Sequence, residues 1–294
     1  MCSYLLEMQQ YYRWENGIPY AANLKKNDVG EWLSEREKFW SEIEHLPYLP
    51  LPLGEDCDPF ESDEINRRIV PEGYVYSAGY GRFGKPHFFL GKLLNQERRG
   101  NYRILVSGCE YARDLTAPPA ALQNGTIYLR REGVYRMIWE RSWKNGEGCT
   151  GVAMEDRVDK ESEAIILHEL GEGMAGELLG AQWEEMLASA QVKEEVIIRA
   201  VRDLLADCLS ALPVMIERRE ECMLHSYHEN LSGMRQELFP LFLESFRKWR
   251  ASGDMMPLIE AAERGREHWL KVAKSLLERS RNGEPLPGTT EFRL

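Results

Sequence analysis

Between Ile165 and Met174 the chain reads Ile-Ile-Leu-His-Glu-Leu-Gly-Glu-Gly-Met. Residues four apart share one side of a helix, so His168 and Glu172 present an imidazole and a carboxylate to a common point. Both groups are metal donors. Together they make the chemistry of a metal site. The same residues admit a plainer reading, in which His168 and Glu172 bond each other or an arginine inside a core. Either way Glu172 needs a partner, because an unpaired buried carboxylate is costly.

Two donors hold an ion loosely, so further ligands must come from elsewhere in the chain. The densest downstream group is Glu217, Glu221, His225 and His228, which form one stripe if Met215–Glu229 is a continuous helix. A Glu and a His four apart, with a second His three further on, is suitable ligand spacing. The apolar residues of that helix, Leu212, Ile216, Met223 and Tyr227, fall on the opposite side, so the stripe also reads as a solvated face.

The apolar run before His168, the Leu170-Gly171 pair and the small residues that follow (Gly173, Ala175, Gly176) resemble the active-site helix of the zincin metallopeptidases. The motif here, His-Glu-x-x-Glu, is one residue from their His-Glu-x-x-His. The resemblance covers the middle third of the chain and implies zinc on His168 and Glu172, with Glu169 as base. The gluzincin pattern places a Glu from a later helix on the metal, which implies Glu217 or Glu221. A carboxylate in place of the second imidazole makes the ion a weaker Lewis acid. Two other functions remain open. One is a non-haem iron or di-metal oxidoreductase that uses Glu221, His225 and His228 together with His168, Glu169 and Glu172. The other is a non-catalytic scaffold or maturation factor with a protein partner.

The elements that must position these groups follow from periodicity. Residues 1–45 read as an N-terminal helical segment, with Asp28 and Glu31 as a capping box and Trp32, Phe39, Trp40 and Ile43 at helical spacing. Residues 46–72 open with three closely spaced prolines and an acidic stretch, which predicts an extended linker or strap. Residues 73–155 predict an antiparallel β region with strands at Tyr74–Ala78, Pro86–Leu90, Tyr102–Val106, Thr126–Arg130 and Val134–Trp139. Its final hairpin would turn at Arg131–Gly133, and Asn124-Gly125 marks another turn. Gly79, Gly81 and Gly84 match a dinucleotide fingerprint, but a strand rather than a helix follows, so a glycine-rich hairpin is expected. Residues 156–294 predict helices: the motif helix from about 160 to beyond 187, one over 193–212 with Val196, Ile197 and Val201 inward, and others divided at Pro213, Ser232, Pro240 and Pro257. The fold class expected is α+β, an antiparallel sheet region followed by a mainly helical C-terminal half. Three glycines in the motif helix cost about 1 kcal/mol each relative to alanine and imply close approach of another backbone, or room for a metal and substrate.

Composition narrows the partners. A net charge of −11 without a basic tract argues against a nucleic-acid binder. No apolar run is long enough to span a membrane, and the first residues do not resemble a signal peptide. The six cysteines show neither a metal-type pair nor a disulfide cadence, which suits reduced thiols in the cytoplasm. The substrate expected is a peptide or small molecule. Two features stay without a role: Cys109-Glu110 near a strand end, where the thiol is expected to be buried, and the aromatic cluster Tyr11-Tyr12-Arg13-Trp14-Glu15, which could cap a core or line a pocket.

Overall fold

The computed structural model describes residues 2–18, 22–46, 57–81, 84–114, 117–144 and 152–294. The chain is α+β, with a curled, mixed five-stranded sheet in the first half and helices dominating the second. It divides into two compact units: Met1–Gln96 with Leu105–Pro119 and Arg130–Asp159, and Glu97–Ile104 with Ala120–Leu129 and Lys160–Leu294.

The first unit begins with α1 (Cys2–Asn16) and α2 (Lys26–Ile43). Most of the proline-rich stretch expected as a strap, residues 47–56, lies outside the described residues. Its end is not extended: Ser62–Ile69 forms the helix α3, with Asp63 and Glu64 in its first turn and Arg67 and Arg68 in its last, matched to the helix dipole. Ile65 and Ile69, four apart, are buried, and Ser62 and Asn66, also four apart, face β1 (Tyr74–Tyr80). Asn66 accepts the Tyr76 N–H at 2.9 Å and donates to the Tyr76 carbonyl at 2.6 Å, while Ser62 Oγ accepts the Ala78 N–H at 3.0 Å. Two side chains thus satisfy the edge of β1 as a neighbouring strand would.

β1 pairs antiparallel with β2 (Pro86–Arg99), Tyr80 opposite Pro86, so the Gly79–Gly84 segment links two strands as expected, Arg82 and Phe83 lying outside the described residues. β3 (Tyr102–Arg113), β4 (Ala120–Gln123) and β5 (Thr126–Arg130) complete the sheet in the order β1-β2-β3-β5-β4. Asn124 and Gly125, at φ 46° and 76°, make the tight turn between β4 and β5. The strand expected at Val134–Trp139 and its hairpin are a helix, α4 (Arg131–Lys144). Its buried apolar residues are Val134, Ile138 and Trp139, spaced for one helical face, although their β-branched and aromatic character suggests a strand.

α5 (Val152–Leu179) carries the motif into the second unit. It stops earlier than expected because Gly180 turns at φ 73°, and α6 (Ala181–Ser189) follows. α7 (Val192–Ala206) runs into a π-helical turn, Asp207–Ala211, in which the Leu212 N–H donates to the Asp207 carbonyl five residues back. Then come α8 (Leu212–Glu217), α9 (Glu221–Asn230), α10 (Gly233–Leu238), α11 (Pro240–Ser252) and α12 (Met256–Asn282). Leu167, Leu204, Leu212, Leu224, Phe242 and Trp269 belong to the core these helices share. On α7 Val196 is exposed, contrary to expectation, and Ile198 takes the inward place. No described helix is long and apolar enough to cross a membrane.

Of the glycines in α5, Gly171 has the packing reason the sequence demands: a Cβ there would collide with the backbone carbonyl of Ala206 on α7. Gly173 is closed by the ring of Tyr102, whereas Gly176 faces open space. Gly171→Ala is therefore expected to lower unfolding free energy by about 2–3 kcal/mol in urea denaturation. Gly176→Ala should raise it by about 0.5–1 kcal/mol, since only helix propensity changes. Equal effects at the two positions would show that α5 and α7 have slack between them.

Candidate functional site

The contact at Gly171 brings α5 and α7 close enough for their polar side chains to meet. His168 donates from Nδ1 to Asp207 Oδ1 at 2.6 Å. The other oxygen of Asp207 accepts the Tyr227 hydroxyl of α9 at 2.8 Å and Arg235 Nη2 of α10 at 2.6 Å. On the far side of the imidazole, Nε2 lies 3.6 Å from Glu172 Oε1, which also accepts from Arg202 Nη2 of α7 at 2.9 Å. One donor atom each from His168, Glu172 and Asp203 lies within 4.8 Å of the other two, the one such group among the described residues. The side chains of His168 and Glu172 keep 22% and 19% of their surface exposed, so solvent reaches them, while Asp207 keeps 2%.

Burial works against charge throughout, and the neighbours decide the outcome. At His168 burial disfavours the imidazolium, but the charge and hydrogen bond of Asp207, then those of Glu172, raise its pKa well above 6.5. Burial also opposes ionisation of Glu172, yet Arg202 and His168 pull it down to about 2. Asp207 is held below its usual range against burial by Arg235 and His168. For Glu169 and Asp203 burial and the charge of Glu172 act together, pushing Glu169 up to about 7 and raising Asp203. Four carboxylates thus meet two guanidiniums and one imidazole.

The sequence-derived residues divide. His168, Glu169 and Glu172 lie in this cluster; Glu221, His225 and His228 do not, and the downstream ligand assignment is corrected accordingly. Arg219, at φ 54°, separates α8 from α9 and breaks the stripe. His225 contacts Arg250 Nη1 at 3.1 Å and packs against Phe246 and Trp249, and His228 stacks on Phe246 with ring centres 4.0 Å apart. Glu221 is exposed at the start of α9. That helix supplies Tyr227 from its apolar side instead. Asp203, Asp207, Arg202 and Arg235 were missed, although Asp203 and Asp207, four apart among Leu204, Leu205, Ala206 and Cys208, carried a signal: carboxylates in an inward-facing run must be paired.

Two family models match in tandem: Family of unknown function (DUF6866) N-terminal domain over residues 1–130, and its C-terminal domain over residues 136–289. The chain belongs to the DUF6866 family. No curated protein and no solved structure matches it. All residues of the α5–α7 cluster fall within the DUF6866 C-terminal domain.

Two outcomes test the geometry. Asp207→Asn should lower stability by about 3 kcal/mol, since Arg235 and His168 lose a buried counter-charge. The His168 pKa, followed by imidazole NMR, should fall in that variant; an unchanged titration would mean that Asp207 does not govern the ring. For pH, Glu169 is raised from 4.5 to about 7, so its contribution is fully present below about pH 4.5 and is lost as pH rises through about 7. Glu172, lowered to about 2, contributes above about pH 4.5 and loses that contribution as pH falls towards 2. Glu169→Gln should accordingly flatten the decline in stability between about pH 4.5 and 7 in urea titrations and leave the acid limb, which Glu172 sets, in place.

Proposed function

We propose that the chain is a divalent-metal-dependent hydrolase whose centre lies between α5 and α7, with His168, Glu172 and Asp203 as ligands and Glu169 as general base. The observation that carries this reading is the bond from His168 Nδ1 to Asp207, which turns Nε2 towards Glu172 and Asp203, where a bound cation would displace the Nε2 proton. Ligating histidines are commonly oriented by a carboxylate in this way. The donor set also fits a cation: ligand bonds of about 2.0–2.2 Å put donors about 3–3.5 Å apart, within reach of small side-chain adjustments from the present spacing. One imidazole and two carboxylates suit zinc or iron(II). Such an ion would polarise a carbonyl or phosphoryl oxygen.

The protein's own groups do the rest. Asp207 keeps the proton on Nδ1 and so directs Nε2 outward. Glu169, poised near neutrality, can accept a proton from water and return it to a leaving group. Arg202, which holds Glu172, fixes one carboxylate oxygen in place. The zincin-like motif agrees with the roles of His168, Glu169 and Glu172, and Asp203 takes the place first expected for a residue of α9. A second reading has its own support: the Arg202–Glu172 and Arg235–Asp207 ion pairs, with Glu169 protonated, neutralise the cluster without a metal, as a non-catalytic scaffold would need.

Elemental analysis of chain prepared without chelator, together with zinc and iron(II) titration calorimetry, separates the two readings. The hydrolase reading expects about one ion per chain, weakened about 100-fold or more by His168→Ala, Glu172→Gln or Asp203→Asn, and about 10–100-fold by Asp207→Asn. Glu169→Gln should keep the ion and lose turnover of p-nitrophenyl acetate or p-nitrophenyl phosphate. Metal binding that His168→Ala leaves unchanged would rule out this centre, and its absence in the parent chain would favour the scaffold.

A further inference from the structure

The first unit contains a cavity of about 850 Å³ that the α5–α7 cluster does not use. Tyr11 and Glu15 of α1 and Trp32 and Arg36 of α2 line it, with Phe88 of β2, Glu110, Tyr111 and Arg113 of β3, and Glu132 of α4. Of the aromatic cluster near the N-terminus, Tyr11 and Glu15 line the pocket, and Cys109, expected to be buried, is exposed at its wall.

The charges of this wall are not equivalent. Arg113 Nε lies 3.2 Å from Glu110 Oε2, and its Nη2 donates to the Tyr11 hydroxyl at 3.3 Å. Glu110 is held in turn by Arg130 through two bonds of 2.9 and 2.6 Å. Arg36 pairs with Glu15, which also accepts the Trp32 indole N–H at 2.8 Å. Both guanidiniums of the wall are therefore committed to carboxylates. Glu132 is different: among the described residues it makes no ion pair, and its hydrogen bond is the 2.8 Å contact from the Glu110 N–H. Burial raises its pKa, and the charge of Glu110 adds to this, against the opposing Glu110 N–H bond and the more distant charges of Arg113 and Arg130. Nearby, Phe88 and Tyr111 remain 40% and 55% exposed although they line a concave surface. Four carboxylates, those of Glu15, Glu110, Asp114 and Glu132, line the cavity against the two guanidiniums of Arg36 and Arg113, a balance that favours a cation over an anion.

We propose that this cavity binds an organic cation, with an ammonium or guanidinium head on Glu132 and an apolar body against Phe88 and Tyr111. A carboxylate and aromatic faces together recognise such groups through charge and cation–π attraction. The cation can be a free amine or a basic side chain of a peptide, and two probes distinguish these sources.

Phenethylamine and Nα-acetyl-arginine amide are titrated into the full chain and followed by saturation-transfer NMR and calorimetry, with 2-phenylethanol and phenylacetate as neutral and anionic analogues. At least one cation should saturate with a Kd on the order of 1 mM, as fits a fragment of this size, and the two analogues should bind at least about tenfold more weakly. Tighter binding of phenethylamine points to a free amine, and tighter binding of the arginine amide to a peptide side chain. Glu132→Gln should weaken the cation at least about tenfold. Tyr111→Ala, at an exposed position where it loses its ring contact with Tyr74, should weaken it at least about threefold while the chain stays folded, and it carries the test should Glu132→Gln disturb the fold. Phenylacetate binding as tightly as the amine, cation binding unaffected by both substitutions, or no saturation by either cation at about 10 mM would overturn the proposal.

Discussion

One buried carboxylate organises the helical unit. Asp207 is almost fully enclosed, yet it receives His168 from α5, Tyr227 from α9 and Arg235 from α10, so three helices converge on its two oxygen atoms. A charge in such a place is tolerable only because its partners are charged or strong donors and both oxygens are satisfied. The packing around it follows. Gly171 lets the α7 backbone come close enough for His168 to reach Asp207, and α9 must present Tyr227, not His225 or His228, to this centre.

The broad architecture was legible in the sequence because helical and alternating periods are local properties. The order of strands then helices, the β4–β5 turn at Asn124-Gly125 and the strand link at Gly79–Gly84 all follow from short-range rules. α4 was misread because Val134, Tyr135, Ile138 and Trp139 are good strand formers by type; their spacing, not their identity, carried the helical information. α3 was hidden by its proline-rich approach, and its four-residue spacings of Ile65–Ile69 and Ser62–Asn66 are too short a pattern to stand out.

For the cluster, what was legible ended at the helix that carries the motif. His168, Glu169 and Glu172 are neighbours on one helix, so their meeting needs no tertiary knowledge. Asp203 and Asp207 join them only through a helix–helix contact set by one glycine, which no spacing encodes. Density of His and Glu pointed to α9, but a break at Arg219 and aromatic neighbours on α11 took those side chains elsewhere. The pairing requirement of buried carboxylates was the better guide, and it applied to Asp203 and Asp207 as much as to Glu172. On the sheet, the same requirement on backbone groups explains Asn66 and Ser62, which close the open side of β1 against further strands.

The π-helical turn after Asp207 is geometrically an ordinary helix that has absorbed one surplus residue. Removing any single residue of 208–211 would restore a regular ladder, yet it would draw everything beyond it back by about 1.5 Å and swing it by about 100°. Tyr227 and Arg235 would then arrive on a different bearing from His168, and the carboxylate they share could no longer serve both. The site is in that sense indexed to chain length: the number of residues in that turn, as much as their identity, decides which side chains reach Asp207.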